Sequence, residues 1–412
     1  MRSGRLAALD VGTTKIACLI AEPAMEGDLR IVGFGHHESY GVRRGNIVDL
    51  DAAETAIRAT VEAAERMAGE NIREVVVNVT AGVPRSRLIP HEVAIAGHEI
   101  GDVDLRRILD SSAILHEIPE DHDVLHAVPV GYSVDSTRGV RDPRGMFGQR
   151  LGVNLHVISA ASGPVRNLAT CIYRCHLDIA KKVVSPYAAA LGSLNGDEAD
   201  LGVTVIDMGG GTTTFAVFFD GEVIHTDTIS VGGAQVTSDI ARGLSTPLVQ
   251  AERIKTLFGS CVPSPTDNRF VIEVPPMGEE PTGEPSQIPR TNLVGIIAPR
   301  MEEIFEMVRS GLEDAGFDRL SGRLVVLTGG ACQLPGAAEL AGKILDRQVR
   351  IGRPRPMPGL PDAASGPAFA TAMGLLRYAA ENTAEADTTL YQPAEKLPGR
   401  FGRLGHWLRE NF

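Results

Sequence analysis

Two stretches of the chain share one order of hydrophobic and polar positions. Residues 201–219 read LGVTVIDMGGGTTTFAVFF, in which two apolar runs flank three glycines and three threonines. This pattern predicts a buried strand that ends at Asp207, a tight turn and a returning strand. Residues 6–21 repeat the order, and aligning Asp10 with Asp207 also aligns the first glycines of the two turns. Such an internal duplication predicts two related lobes.

Each turn has the residues of a phosphate-binding hairpin. Glycines let backbone N–H groups close around an anion, and the hydroxyls of Thr212, Thr213 and Thr214 can add donors. Asp207 ends its strand at a position where a carboxylate can hold the waters of Mg²⁺. A single glycine-rich hairpin is a weak signal, because a turn without a ligand explains it equally well. The second copy favours a ligand.

A third glycine turn follows another predicted strand. Residues 324–327 are apolar, Thr328, Gly329 and Gly330 come next, and residues 331–344 have an apolar helical pattern. Three strand-ending turns, two of them with an aspartate, can converge on one nucleotide in a cleft between lobes. With these motifs the chain resembles the actin-like ATPases, and within them the FtsA family of bacterial cell-division proteins.

Composition and charge predict a soluble, cytoplasmic protein without nucleic-acid partners. Hydrophobic residues make up 43% of the 412 positions, which is ample for packed cores. A formal net charge of −12 argues against nucleic acid, which is bound through clustered Lys and Arg. No apolar run approaches the ~20 residues that span a bilayer, and the N-terminus does not begin as a signal peptide. The five cysteines are scattered and odd in number, which indicates reduced thiols.

The resemblance implies an α/β, actin-like two-lobed ATPase fold with duplicated ribonuclease-H-like domains. Short strands alternating with one helix at residues 103–115 predict a small αβ domain inserted in the first lobe, as in the FtsA family. The predicted boundaries are 1–80, 160–195 and 367–380 for the first lobe core, 81–159 for the inserted domain, 196–230 and 321–366 for the second lobe core, 231–320 for the second lobe insertion, 381–398 for a flexible linker and 399–412 for a C-terminal amphipathic helix.

The resemblance also implies that ATP and Mg²⁺ bind between the lobes. Lys15 supplies a point charge to the phosphates, and Asp10 and Asp207 orient the metal through water, whereas no catalytic residue is assigned. The implied nucleotide-binding residues are Asp10, Gly12, Thr13, Thr14, Lys15, Asp207, Gly209, Gly210, Gly211, Thr212, Thr213, Gly233, Glu252, Lys255, Gly329, Gly330 and Ala331. Spacing alone makes Glu252 and Lys255 a surface ion pair on a helix, but the resemblance assigns them, with Gly329 and Gly330, to the adenosine.

Residues 183–194 resemble the segment that connects the two lobes throughout the superfamily. The chaperone and MreB branches place a glutamate before its proline to orient the attacking water, whereas here Ser185 precedes Pro186. A hydroxyl is a poor general base near neutral pH, so we expect slow hydrolysis. The nucleotide is then expected to act as a switch that closes the lobes and favours head-to-tail assembly of the chain into filaments.

A second implied partner is the C-terminal tail of FtsZ. Residues 296–312 have a helical pattern, and the resemblance places Arg300, near the predicted start of this helix, on the surface that faces FtsZ. A cation near a helix start can pair with an acidic peptide. A solvated arginine explains the residue equally well.

The end of the chain predicts a membrane anchor. Residues 399–412 read GRFGRLGHWLRENF, in which the apolar positions fall on one side at about 100° per residue and arginines border them. This pattern is typical of a helix lying in the surface of a membrane of anionic lipid. The implied membrane residues are Phe401, Leu404, Trp407, Leu408 and Phe412, with Arg400, Arg403 and Arg409. A helix that docks on the body of the protein is the alternative.

The resemblance therefore implies a filament-forming protein at the cytoplasmic face of the inner membrane, at the division site. It would tether the FtsZ ring and recruit other division membrane proteins. Three other functions stay open, namely a sugar kinase, a DnaK-type chaperone and a pilus-assembly relative of FtsA. A kinase needs a phosphoryl-acceptor pocket, a chaperone needs a substrate domain after the lobes, and the pilus relative would not be expected to have an amphipathic terminus.

Overall fold

The computed structural model describes residues 4–24, 29–109, 115–277, 285–317 and 322–380. The predicted linker at 381–398 and terminal helix at 399–412 lie outside the described residues. The strands are β1 (Leu6–Val11), β2 (Lys15–Pro23), β3 (Leu29–Glu38), β4 (Val42–Arg43), β5 (Asn46–Ile47), β6 (Glu74–Val79), β7 (Arg85–Ala94), β8 (His122–Val134), β9 (Thr137–Val140), β10 (Arg150–Ala161), β11 (Asp178–Val184), β12 (Val203–Met208), β13 (Thr213–Phe219), β14 (Glu222–Ile229), β15 (Val271–Val274), β16 (Ser286–Pro289), β17 (Leu324–Thr328) and β18 (Gln348–Ile351).

The helices connect these strands and cover the sheets. They are α1 (Leu50–Ala68), α2 (Asp102–Ile108), α3 (Ser162–Arg174), α4 (Ser185–Ser193), α5 (Glu198–Leu201), α6 (Gly233–Gly243), α7 (Leu248–Phe258), α8 (Arg290–Asp314), α9 (Ala337–Leu345) and α10 (Ala370–Ala380). The start of α1 shows how local sequence sets a boundary, because the Asp49 carboxylate accepts hydrogen bonds from the backbone N–H groups of Asp51 and Ala52. The helix ends at Gly69, which has a left-handed conformation.

Two five-stranded sheets have the same topology. The first has the order β11-β6-β1-β2-β3 and the second the order β18-β17-β12-β13-β14. Strands β1 and β2 form an antiparallel hairpin in the first sheet, and β12 and β13 do so in the second. The two strands beyond β1 or β12 in each sheet run parallel to it. Asp10 pairs with Ala17 in the first hairpin and Asp207 pairs with Thr214 in the second, so the register is the same. The duplication that the sequence predicts is confirmed.

Helices α4 and α10 join the two lobes at the centre. They pack closely because Gly192 and Gly374 lie at their crossing, where a Cβ on Gly374 would come 1.7 Å from the Ala188 carbonyl oxygen. Helix α10 also packs on β1, so the chain returns to the first lobe after completing the second. This arrangement sets the carboxyl ends of β1 and β12 facing each other across one cleft.

A third sheet, of order β7-β10-β8-β9, forms the inserted domain. It has its own core, in which Ile95, Ile100, Leu151 and Leu155 are fully buried or nearly so. The predicted helix over 103–115 is shorter than expected, since α2 ends at Ile108. Residues 110–114 lie outside the described residues. The precise domain limits stay predictions.

Two other predicted helices differ from the observed ones. Helix α8 begins six residues before the predicted residue 296, because Leu293 and Val294 continue the buried apolar face of the helix. Pro299 is therefore inside the helix and Arg300 lies near its middle. The predicted helical stretch over 331–344 is divided into a short 3₁₀ helix and α9. Gly336, in a left-handed conformation with φ of +81°, makes the break.

Candidate functional site

A cavity between the two lobes brings together most of the residues assigned to the phosphates and metal. The predicted residues that line it are Asp10, Gly12, Thr13, Thr14, Lys15, Asp207, Gly209, Gly210, Thr212, Gly329 and Gly330. They lie at the ends of β1, β12 and β17 and in the turns that follow. The three strand-ending turns thus converge as the sequence predicts.

The two glycine turns have the same hydrogen bond. Gly12 N–H donates to the Lys15 carbonyl at 3.0 Å, and Gly209 N–H donates to the Thr212 carbonyl at 2.9 Å. A Cβ on Gly12 would lie 2.7 Å from that Lys15 oxygen, so a side chain does not fit there. Each turn leaves backbone N–H groups near the cavity, which suits an anion.

The turn of the second lobe touches the turn of the first. A Cβ on Gly210 would lie 2.4 Å from Thr14 Cγ2, and one on Gly211 would lie 2.6 Å from Thr13 Oγ1. Gly211 is not among the lining residues. It therefore permits the close approach of the lobes, and its predicted contact with the nucleotide stays a prediction.

Two carboxylates and one ammonium group form the charged part of the site. Lys15 Nζ lies 3.5 Å from Asp10 Oδ2, donates to the Ala368 carbonyl and lies 3.8 Å from the centroid of the Phe369 ring. Burial lowers the pKa of Lys15 and raises the pKa of Asp10. Burial, and then the Asp10 charge, raises the pKa of Asp207 to about 6. Two carboxylates facing one cation leave a net attraction for a further cation.

Thr213 and Thr214 are adjacent in β13, and only one of them faces the cavity. Thr213 is fully buried, its hydroxyl donates to the Val231 carbonyl at 2.9 Å, and it is absent from the cavity wall. Thr214 lines the cavity, and its buried hydroxyl has no hydrogen-bond partner among the described residues. Adjacent strand residues face opposite sides, so only one of the two can point inward. A buried hydroxyl without a partner costs ~1–3 kcal/mol, and this cost indicates a missing ligand.

Of the residues that the resemblance assigns to the adenosine, Gly329 and Gly330 line the cavity, whereas Glu252 and Lys255 lie beside it, outside its described lining. Gly233 N–H donates to the Gly209 carbonyl at 2.9 Å, and a Cβ on Gly233 would contact Ala331. Lys255 Nζ donates to Glu252 at 2.7 Å and to the Gly233 carbonyl at 3.2 Å. The Lys255 side chain is only 15% exposed, so this is not the plain surface ion pair that spacing alone suggests.

Sequence reasoning missed a polar group on the first lobe. Asn78, Thr80 and Ser185 line the cavity and are hydrogen-bonded to one another. Of these three residues, only Ser185 was identified from the sequence, where it takes the place of a glutamate in the chaperone and MreB branches. The available signal was Asn78, a polar residue in the otherwise apolar strand over 75–79. The other lining residues that were not predicted are Val11, Gly45, Ala368 and Thr371.

Arg300 is held by carboxylates of its own chain. Its guanidinium donates to Asp239 Oδ2 at 2.6 Å and also pairs with Glu303, and its side chain is 29% exposed. The hydrogen bond to Asp239 raises the pKa of Arg300. The idea of a cation near a helix start is wrong, because ten residues of α8 precede Arg300. A fully solvated arginine is also excluded.

Other site types are not found in the part of the chain that the structure describes. Those residues contain no group of three or more His, Cys, Asp or Glu side chains arranged to hold a metal. They also contain no helix with the length and apolar character needed to cross a membrane.

The sequence of this chain is similar to one family of known proteins over nearly its whole length. The model of the family described as Cell division protein FtsA matches residues 204–374, and a model described as SHS2 domain inserted in FTSA matches residues 83–159. The chain is 43% identical to cell division protein FtsA of Agrobacterium fabrum over 100% of this chain and 96% of the relative. It is 31% identical to that of Escherichia coli over 98% of this chain and 97% of the relative.

Solved structures support the fold. The PilM-PilN type IV pilus biogenesis complex matches with a TM-score of 0.65 and 17% identity, over 92% of this chain and 99% of the solved one. MreB 5 of Spiroplasma citri bound to AMPPNP matches with a TM-score of 0.55 and 14% identity, over 92% and 96%. The predicted actin-like fold is thus confirmed. With identities of 31–43% over nearly the whole chain, the protein belongs to the FtsA family of cell-division proteins.

Proposed function

We propose that the chain acts in cell division by binding ATP with Mg²⁺ between its lobes. The main support for a bound nucleotide is that two duplicated glycine turns converge on one cavity. This cavity also contains two carboxylates and a threonine hydroxyl that has no hydrogen-bond partner among the described residues. The similar MreB 5 structure contains AMPPNP, which supports a nucleotide here. Family membership supports the division role.

The residues fit the charge of such a ligand. Glycine turns supply backbone donors for phosphate oxygens, and Lys15 supplies a positive charge. Asp10 and Asp207 are oxygen ligands of the kind that Mg²⁺ and its waters prefer. The bound cation would neutralise phosphate charge. Gly329, Gly330, Glu252 and Lys255 would hold the adenosine, with Gly233 and Ala331 beside them.

Turnover is proposed to be slow. Asn78, Thr80 and Ser185 occupy one wall of the cavity, and none of them ionises near neutral pH. This wall therefore has no general base for an attacking water. The bound nucleotide then acts through its contacts with both lobes, favouring the closed state and head-to-tail filaments by its higher affinity for that state.

Two attachments would complete the function. The C-terminal tail of FtsZ would dock on the second lobe insertion, where Arg300 is a candidate contact that the peptide would share with Asp239 and Glu303. Residues 399–412 would lie in anionic lipid at the cytoplasmic face of the inner membrane. Many weak anchors on one filament bind strongly, because each later contact is intramolecular. The protein would thus tether the FtsZ ring and recruit other division proteins.

Co-sedimentation with vesicles tests this function. Full-length protein with Mg–ATP should carry a fluorescent FtsZ tail peptide into the pellet of anionic vesicles. A truncation before residue 399 is the matched control, and it should keep peptide binding while losing the vesicles. Failure of the full-length protein to bind either the peptide or the vesicles would refute the tether and favour another actin-like function.

A further inference from the structure

Three polar side chains form a hydrogen-bonded chain on the first-lobe wall of the cavity. Val11 N–H donates to Asn78 Oδ1 at 2.7 Å. Asn78 Nδ2 lies 3.2 Å from Ser185 Oγ, and Ser185 Oγ lies 2.6 Å from Thr80 Oγ1. Asn78 is 4% exposed and Ser185 is 3% exposed, although both line the cavity. Exposure to water therefore does not account for the presence of polar side chains at these two positions.

The direction of the hydrogen bonds follows from their atoms. Because Val11 fixes the Asn78 carbonyl oxygen as an acceptor, the Asn78 amide nitrogen must donate to Ser185. Ser185 and Thr80 share one hydrogen bond, which uses one of their two hydroxyl protons. The other proton has no acceptor among the described residues. Both hydroxyls line the cavity and Thr80 is half-buried, so this proton can be donated to water or to a ligand there.

The position of these three side chains indicates which part of a bound nucleotide they would contact. Asn78 lies near the carboxyl end of β6, Thr80 follows β6 and Ser185 follows β11, so all three lie on one side of the end of β1, in the parallel part of the first sheet. The groups proposed for the adenosine are on the second lobe, joined to the other turn through Gly233. The donor chain and the adenosine groups thus belong to opposite lobes.

We propose that Asn78, Ser185 and Thr80 form a donor chain for the terminal phosphate oxygens of a nucleoside triphosphate, and so set a preference for ATP over ADP. The inference rests on the proposed nucleotide site. Anionic oxygens accept stronger hydrogen bonds than neutral acceptors do, and the chain offers donors while holding no group that could remove a proton. It recognises the triphosphate without helping to cleave it.

Calorimetry with Mg–ATP and with Mg–ADP tests the donor chain. Thr80→Val keeps the shape of the side chain and removes its hydroxyl, and Ser185→Ala breaks the chain at its centre. Each should lower ATP affinity about tenfold and leave ADP affinity unchanged, since a hydrogen bond to a charged group is worth ~1.5 kcal/mol or more. Thr60→Val is the matched control, because the buried Thr60 hydroxyl donates to the Ala56 carbonyl inside α1.

The outcomes separate this inference from the function on which it rests. If the unaltered protein binds neither nucleotide, the proposed function is wrong. If it binds both nucleotides, two results show that only the donor chain is wrong. One is an equal loss of ATP affinity and ADP affinity in the Thr80 and Ser185 variants, and the other is no change in either affinity. Inorganic phosphate gives a second readout, since its affinity for the ADP-saturated protein should fall in both variants. Thermal unfolding of each variant checks that it is folded.

Discussion

Gly210→Ala should weaken nucleotide binding by pushing the two lobes apart. The new Cβ would lie 2.4 Å from Thr14 Cγ2 and 2.7 Å from Thr14 Oγ1, whereas ordinary carbon contacts are about 3.5–4.0 Å. Thr14 belongs to the turn of the first lobe and Gly210 to that of the second. The turns must therefore separate by about 1 Å to restore a normal contact.

The cost should fall on lobe closure more than on folding. Overpacking by one methyl group costs ~1–3 kcal/mol, and ~1.4 kcal/mol is a factor of ten in an equilibrium constant. A ligand that needs the closed state loses affinity in proportion to the closed population. We expect Mg–ATP affinity to fall at least about tenfold, with little change in the unfolding temperature.

Isothermal calorimetry measures this effect, with Gly295→Ala as the matched control. Gly295 is an exposed glycine inside α8 with no atom near its Cβ position, so alanine there should leave ATP affinity unchanged and slightly stabilise the helix. A double-mutant cycle with Thr14→Ala should show coupling, because removing the Thr14 side chain relieves the clash. Unchanged ATP affinity in Gly210→Ala alone would refute the steric argument.

Three other predictions follow from the site and from Arg300. Mg–ATP affinity should fall as the pH drops below about 6, because the pKa of Asp207 is raised to about 6 and its carboxylate loses its charge there. Calorimetry between about pH 5.5 and 7.5 should show a smaller fall in an Asp207→Asn variant, and an equal fall in affinity in the two proteins would contradict this. Thr214→Val should raise the unfolding temperature of the ligand-free protein and weaken ATP binding, since the hydroxyl has no partner among the described residues; a lower unfolding temperature would show a hidden hydrogen bond. Arg300→Glu should destabilise the protein by ~2 kcal/mol in denaturant titration by setting a third carboxylate beside Asp239 and Glu303, and an unchanged midpoint would show that these pairs contribute little.

Much of the fold could be predicted because the duplication is local in sequence. The order of apolar strand, aspartate, glycine and threonine is visible in both copies, and it predicts the hairpins and the aspartates at the ends of their first strands. The inserted domain was predicted from short strands alternating with a helix, and the family resemblance agreed with it. Helix ends were less predictable, because a buried face such as that of Leu293 and Val294 is set by packing against distant elements.

The site was predicted only as far as its turns. Which of Thr213 and Thr214 faces the cavity depends on the strand register, and a shift of one residue reverses the answer. Asn78 and Thr80 join the site because β6 lies beside β1 in the sheet, a pairing between distant segments of the chain. The pairing of Arg300 with Asp239 follows from the packing of α8 on α6.

Hydrogen exchange with and without Mg–ATP tests most directly the claim that one nucleotide bridges both lobes. The account predicts slower exchange of backbone amides in both turns, at Gly12 to Lys15 and at Gly209 to Thr212, with the exposed end of α8 near Asp314 as an unchanged reference. Protection confined to one turn, or absent from both, would contradict a nucleotide held between the two hairpins.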